Sequence, residues 1–171
     1  MPKAHDIIIG GVRIGMQAAY DLTQTYEEIG GRVLRRKLDG SALLQRNWGK
    51  LRTTISGRGR LPDGLAGLDY TASMTIDCMA PRSIWGASTA ITIPAGRRTD
   101  WVPHAYAIVD GEHVRTPLTI AVNACTLTAV SGAQGYLVAY YPSLTMYAEP
   151  PRQTFGGRGP SAGWEIVAEE A

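Results

Sequence analysis

Chemistry-bearing side chains are scarce in this sequence. Of 171 residues, two are cysteine (Cys78 and Cys125) and three are histidine (His5, His104 and His113). The cysteines lie far apart inside apolar stretches, with no C-x-x-C pattern and no histidine beside either. That excludes the usual zinc spacings and predicts buried, reduced thiols in strands. No H-x-x-x-H pair, G-x-G-x-x-G turn or P-loop occurs, and Gly57-x-Gly59 followed by Gly64 fits none of these. The only adjacent carboxylates are Glu27-Glu28 and Glu169-Glu170. Neighbours in a strand point to opposite faces, so neither pair forms an acid/base couple by itself. The expectation is a non-enzyme with no catalytic residue, metal ligand or cofactor.

Long apolar runs are missing as well. None approaches the roughly 18 residues of a spanning helix, so no membrane is expected as partner. The N-terminal segment reaches only Ile7-Ile8-Ile9 before Gly10-Gly11. That is too short for a secretory h-region, and predicts a chain made and used without the secretion machinery. A net charge of +2 argues by itself for neither nucleic acid nor membrane.

What is abundant is strand and turn. Hydrophobic residues make up 44%, charged residues 19%, with 20 glycines and 10 prolines, the composition of a turn-rich globular chain. Candidate strands recur at roughly ten-residue spacing, bounded by Gly, Pro or Asp-Gly, as in an antiparallel sandwich or barrel. Asp39-Gly40 sits between Arg32–Leu38 and Ser41–Gln45, and Asp110-Gly111 between Ala105–Val109 and Glu112–Val114. Both predict hairpins, and type I′ geometry is expected at Asp39-Gly40. Apolar residues at 61, 65 and 68 predict one short helix within Pro62–Tyr70, kept short by its two glycines. Segments 57–60 and 150–163 read as loops. The fold class expected is mainly β, an antiparallel β-sandwich or split barrel with one short helix and a long hairpin, in a single domain over 1–171.

One charge feature rises above background. Between Arg32 and Arg60 lie nine basic residues and one acid, Asp39. Direct nucleic-acid recognition is disfavoured, because Trp48 is the only aromatic there and alternation splits the charge between two faces. Arg32, Arg35, Arg36, Lys37, Arg46, Lys50 and Arg52 are therefore the candidates for a subunit-facing or channel-facing surface.

A family resemblance accompanies these residues. The stretch Tyr26-Glu-Glu-Ile-Gly-Gly-Arg-Val-Leu-Arg-Arg-Lys-Leu-Asp-Gly, continuing to Gly59, resembles tail proteins of long-tailed bacteriophages. So do Tyr140-Tyr-Pro-Ser-Leu144 and Gly163-Trp-Glu-Ile-Val-Ala-Glu-Glu170. Distal-tail and tube-like baseplate subunits are the nearest comparison. The resemblance implies a virion component, made in the host cytoplasm, that packs as a ring, commonly a hexamer, joining the tail tube to the hub. Its partners would be copies of itself, the tail tube and hub proteins, and DNA in passing through the channel. The acidic end (Glu165, Glu169, Glu170) and the basic hairpin place both signs on one chain, as a head-to-tail ring contact requires. A chain of this length leaves little room for an added sugar-binding domain. The alternative is a β-sandwich carbohydrate- or receptor-binding module using Trp85, Trp101 or tyrosines as its platform.

Overall fold

Alternation with a period of two decides which face each long strand buries. In β6 (Lys50–Arg58), Leu51, Thr53, Ile55 and Gly57 are buried and the residues between them are not. In β17 (Ala162–Glu170), Trp164, Ile166 and Ala168 are buried. The two strands pair antiparallel with Trp164 opposite Gly57, Ile166 opposite Ile55 and Ala168 opposite Thr53, so both buried sets share one face. Each fully buried isoleucine contributes about 1.5–3 kcal/mol. Thr53 is tolerated there because its hydroxyl donates to the Thr25 carbonyl at 2.9 Å and accepts from Gln24 Nε2 at 3.1 Å.

The computed structural model describes residues 6–14, 20–155 and 162–171. Over these the chain is mainly β with antiparallel sheets. It divides into two compact units, Ile8–Ile76 with Thr145–Ala171, and Met1–Ile7 with Asp77–Leu144.

The first unit holds β6 and β17 in an eight-stranded sheet. With β1 (Ile8–Ile9), β2 (Val12–Arg13), β3 (Tyr20–Ile29), β7 (Met74–Asp77) and β15 (Ser143–Ala148), the order is β2-β1-β7-β15-β17-β6-β3. A further strand, β16 (Arg152–Phe155), pairs with the first half of β17. It lies in the stretch read as a loop from the sequence; all four of its residues are exposed, so burial imposes no alternation there.

The predicted short helix lies within Pro62–Tyr70, as a single 3-10 turn. Among the described residues the only helical segment is a three-residue 3-10 turn, Leu65–Gly67. Gly64 enters it at φ 95° and Leu68 leaves it extended. The apolar spacing read as helical serves to bury Leu65, whose carbonyl accepts from the Tyr70 hydroxyl at 2.5 Å.

The second unit is a sandwich. Its four-stranded sheet runs β11-β10-β14-β8, from β8 (Arg82–Gly86), β10 (His104–Val109), β11 (Glu112–Thr116) and β14 (Gly135–Tyr140). Its three-stranded sheet, β12-β13-β9, uses β9 (Ala90–Thr92), β12 (Leu118–Ala121) and β13 (Ala124–Leu127). Ile91, Cys125 and Leu127 from one sheet and Ala105, Ala107, Tyr136 and Val138 from the other form a shared buried core. The β10–β11 hairpin has Asp110 at φ 51° and Gly111 at φ 83°, the two left-handed positions of a type I′ turn.

Both cysteines are free and buried, Cys125 within β13 and Cys78 just past the end of β7. Burial pushes the Cys125 thiol up, opposed only by the charge of Arg97. The folded protein is expected to show no thiol to Ellman's reagent at neutral pH and both in guanidinium. Fast labelling of either cysteine in native buffer would contradict this packing.

Candidate functional site

The basic segment folds into a hairpin exposed on both faces. β4 (Arg32–Arg36) and β5 (Ala42–Arg46) form a two-stranded sheet of their own, and every residue of both strands is exposed. Its register places Arg32 opposite Arg46, Leu34 opposite Leu44 and Arg36 opposite Ala42 on one face; Val33 opposite Gln45 and Arg35 opposite Leu43 lie on the other. Each face thus mixes cations with bare aliphatic groups. Arg32 facing Arg46 sets like charges directly across the strands, an arrangement that costs energy unless an anion answers it.

The neck of the hairpin is built from glycines. A Cβ on Gly30 would collide with the Trp48 carbonyl oxygen, and one on Gly31 would lie 2.8 Å from Trp48 Nε1. The β3–β6 ladder ends at Ile29 opposite Lys50, and Asn47 N–H donates to the Gly31 carbonyl at 3.0 Å. The glycines let the indole lie against the chain where one ladder hands over to the next. A groove of ≈ 280 Å³ opens there, lined by Glu28, Arg32, Leu44, Arg46 and Trp48. Arg46 reaches Glu28 at 3.9 Å across it, both side chains well exposed.

The turn differs from the type I′ expected. Gly40 has φ 82° but Asp39 is not left-handed. Gly40 N–H donates to the Lys37 carbonyl at 2.9 Å, and Lys37 N–H to the Ser41 carbonyl at 3.0 Å. This is a three-residue loop with a glycine bulge. The Asp39 carboxylate accepts from Ser41 Oγ at 2.7 Å and Ser41 N–H at 2.9 Å, an Asx-type closure that the two-residue turn does not need. These bonds hold the Asp39 carboxyl below its ordinary range. The turn therefore keeps their contribution at neutral pH and loses it as acid protonates the group. The one acid of the hairpin is spent on its own turn.

Arg32, Arg35, Arg36, Lys37 and Arg46 are brought together on this projection. Lys50 and Arg52 are not, for they sit at the start of β6 beside the C-terminal strand. Arg52 bonds Glu169 through Nη2 at 2.6 Å and Nε at 2.9 Å, and reaches Glu27 at 3.3 Å. Its hydrogen bond and charge contact with Glu169 hold the guanidinium still more firmly protonated. Lys50 Nζ donates to the main-chain oxygen of Ala171, and Leu51 N–H donates to Glu170 at 3.1 Å. Glu169 and Glu170 of the acidic end expected to meet a neighbour's hairpin are thus engaged by their own chain.

Sequence reasoning named the cations of the hairpin and passed over its aliphatic groups. Val33, Leu34, Leu38, Leu43, Leu44 and Trp48 are all exposed, Leu38 completely. A signal was present: consecutive apolar residues at 33–34 and 43–44 put apolar groups on both faces, a pattern of strands buried on both sides.

His104 lies on β10 and His113 on β11, while His5 falls outside the described residues. No three His, Cys, Asp or Glu groups among the described residues are placed to hold a metal ion. Of the platform tryptophans, Trp85 is 60% exposed, whereas Trp101 lies between the Arg98 guanidinium at 4.3 Å and the Tyr141 ring at 4.5 Å. No protein-family model matches the chain, and no curated protein matches its sequence.

Proposed function

We propose that this chain is a structural subunit of a bacteriophage tail, closing into a hexameric ring at the distal tail or baseplate that links the tail tube to the hub. The observation that carries the reading is the β4–β5 hairpin, exposed on both faces yet bearing Leu34, Leu44, Val33 and Leu43. An isolated two-stranded hairpin is marginal in water, and apolar groups on both of its faces have a use once neighbouring molecules cover them. β3 adds a second feature, a ten-residue strand at the end of the described strand order of its sheet. Such edges are what a neighbouring copy completes. The sequence blocks 26–59, 140–144 and 163–170 supply the tail identity, which no fold feature carries by itself. In this reading Arg35, Arg36 and Lys37 set the register of the contact, and the channel or an adjacent tail protein supplies the answering negative charge.

The test is light scattering coupled to size exclusion. Wild-type protein is expected to form a closed oligomer that loosens with salt, because contacts between exposed charges are screened. Arg35→Gln, Arg36→Gln and Lys37→Gln together are expected to weaken the oligomer while leaving thermal unfolding of the subunit unchanged. A wild-type protein that stays monomeric at high concentration, or a triple variant that assembles equally well at every salt concentration, removes the hairpin from the interface.

A further inference from the structure

The outer face of the four-stranded sheet carries a second surface, distinct from the hairpin. Register fixes what it displays. Arg115 pairs across to Tyr106, Tyr106 to Leu137, and Leu137 to Trp85, so these four side chains form one row across all four strands. The next row brings His113, Ile108 and Gly135, and on the other side His104, Ala139 and Ser83. The opposite face of these strands is the buried core, containing Ala105, Ala107, Tyr136 and Val138.

Three features of this face point to a ligand class. First, the Trp85 indole lies over Gly135, where a Cβ would stand 2.6 Å from Nε1 and 3.0 Å from Cε2. The missing side chain lets the ring lie along the sheet with its other surface open, and Trp85 is 60% exposed. Second, Tyr106 and His113 sit with ring centroids 6.0 Å apart, and Tyr106 lies two strands from Trp85, roughly 10 Å by strand spacing. Third, the rows contain Arg115 and two histidines but no carboxylate, and among the described residues no ion pair is found for Arg115. At the end of the face, His104 and Arg115 line a groove of ≈ 490 Å³ together with Val102, Pro103 and Pro117.

We infer that this face binds a polysaccharide bearing carboxylate groups. The flat C–H faces of sugar rings stack on Trp85 and Tyr106, whose rings supply large apolar area with little entropy to lose. An extended chain laid across the strands meets Trp85 first and then Tyr106. Its carboxylate reaches Arg115, whose planar fork matches that group bidentately. One permanent cation suits one uronate and falls short of the several phosphate contacts that hold a nucleic acid strand. The surface stands independently of ring closure.

Native affinity electrophoresis of the whole chain in gels containing polygalacturonate tests this. Retardation is expected with polygalacturonate and not with neutral dextran. Trp85→Ala is expected to weaken binding at least tenfold, and Arg115→Gln several-fold with a flatter salt dependence, both with unchanged circular dichroism and melting. The Arg35→Gln, Arg36→Gln, Lys37→Gln variant serves as control and is expected to bind as wild type. Retardation that survives Trp85→Ala, or is lost in the hairpin control instead, overturns the assignment by tracing binding to the basic hairpin. Retardation by oligothymidylate but not by polygalacturonate also overturns it, as a nucleic-acid surface. No retardation by polygalacturonate at all ends it.

Discussion

Replacing Arg98 by Met is expected to lower the unfolding free energy by about 3–5 kcal/mol, because the change removes a fully buried guanidinium that pairs with two carboxylates at once. The Arg98 side chain is fully buried, with Asp6 at 3.0 Å and Asp100 at 2.8 Å and 3.0 Å in a bidentate pair. Its Nη1 donates to the Asp6 carbonyl at 2.7 Å and to the Cys78 carbonyl at 3.3 Å, and the group stacks on Trp101. Burial alone would ease the proton off Arg98, but the hydrogen bonds and charges of Asp100 and Asp6 more than reverse that and hold it firmly protonated. One side chain thus ties Asp6 to segments 77–78 and 98–101. Urea denaturation measures the loss. Adding Asp6→Asn and Asp100→Asn to Arg98→Met should return part of it, since a neutral set leaves no stranded charge. A loss under about 1 kcal/mol for the single variant would show that water reaches the cluster.

A loss of similar size, about 3–5 kcal/mol, is expected for Trp164→Ala. The indole is 3% exposed and lies over Gly57 on the neighbouring strand, in the row next to Ile55 and Ile166. A Cβ at Gly57 would sit 2.8 Å from Cζ2 and 2.9 Å from Cε2, so the ring occupies the space this glycine leaves. Removing the ring opens a cavity that main chain on both strands cannot close. Gly57→Ala in the wild-type background should destabilise by overpacking, and in the Trp164→Ala background should become neutral or favourable. Equal effects of Gly57→Ala in both backgrounds would falsify the pairing.

Much of the β architecture was legible because it is written locally. Asp110-Gly111 fits its turn since both positions accept positive φ, and β6 and β17 show their buried faces as a two-residue alternation. The same local logic placed the short helix within Pro62–Tyr70, where it is a single 3-10 turn that buries Leu65. It missed β16, whose residues are exposed and so obey no pattern. The two units were hidden for a related reason. The chain passes between them at Ile7–Ile8, Ile76–Asp77 and Leu144–Thr145, within or beside strands, where no glycine- or proline-rich linker marks a crossing.

Of the candidate surface, two features could be read from the residues alone: positive charge gathers between residues 32 and 60, and a hairpin turns near Asp39-Gly40. Composition and short-range turn chemistry suffice for both. Which of those cations stay available depends on pairings made in the folded chain. Lys50 and Arg52 are satisfied by Ala171 and Glu169, partners more than a hundred residues away that the β6–β17 register alone brings alongside. Likewise the row Arg115, Tyr106, Leu137 and Trp85 exists because four strands align in one register. A one-residue slip in any of them would send its member of the row into the core. Charge and turn are properties of neighbouring residues, whereas pairing across strands is settled by the energy of the whole sheet.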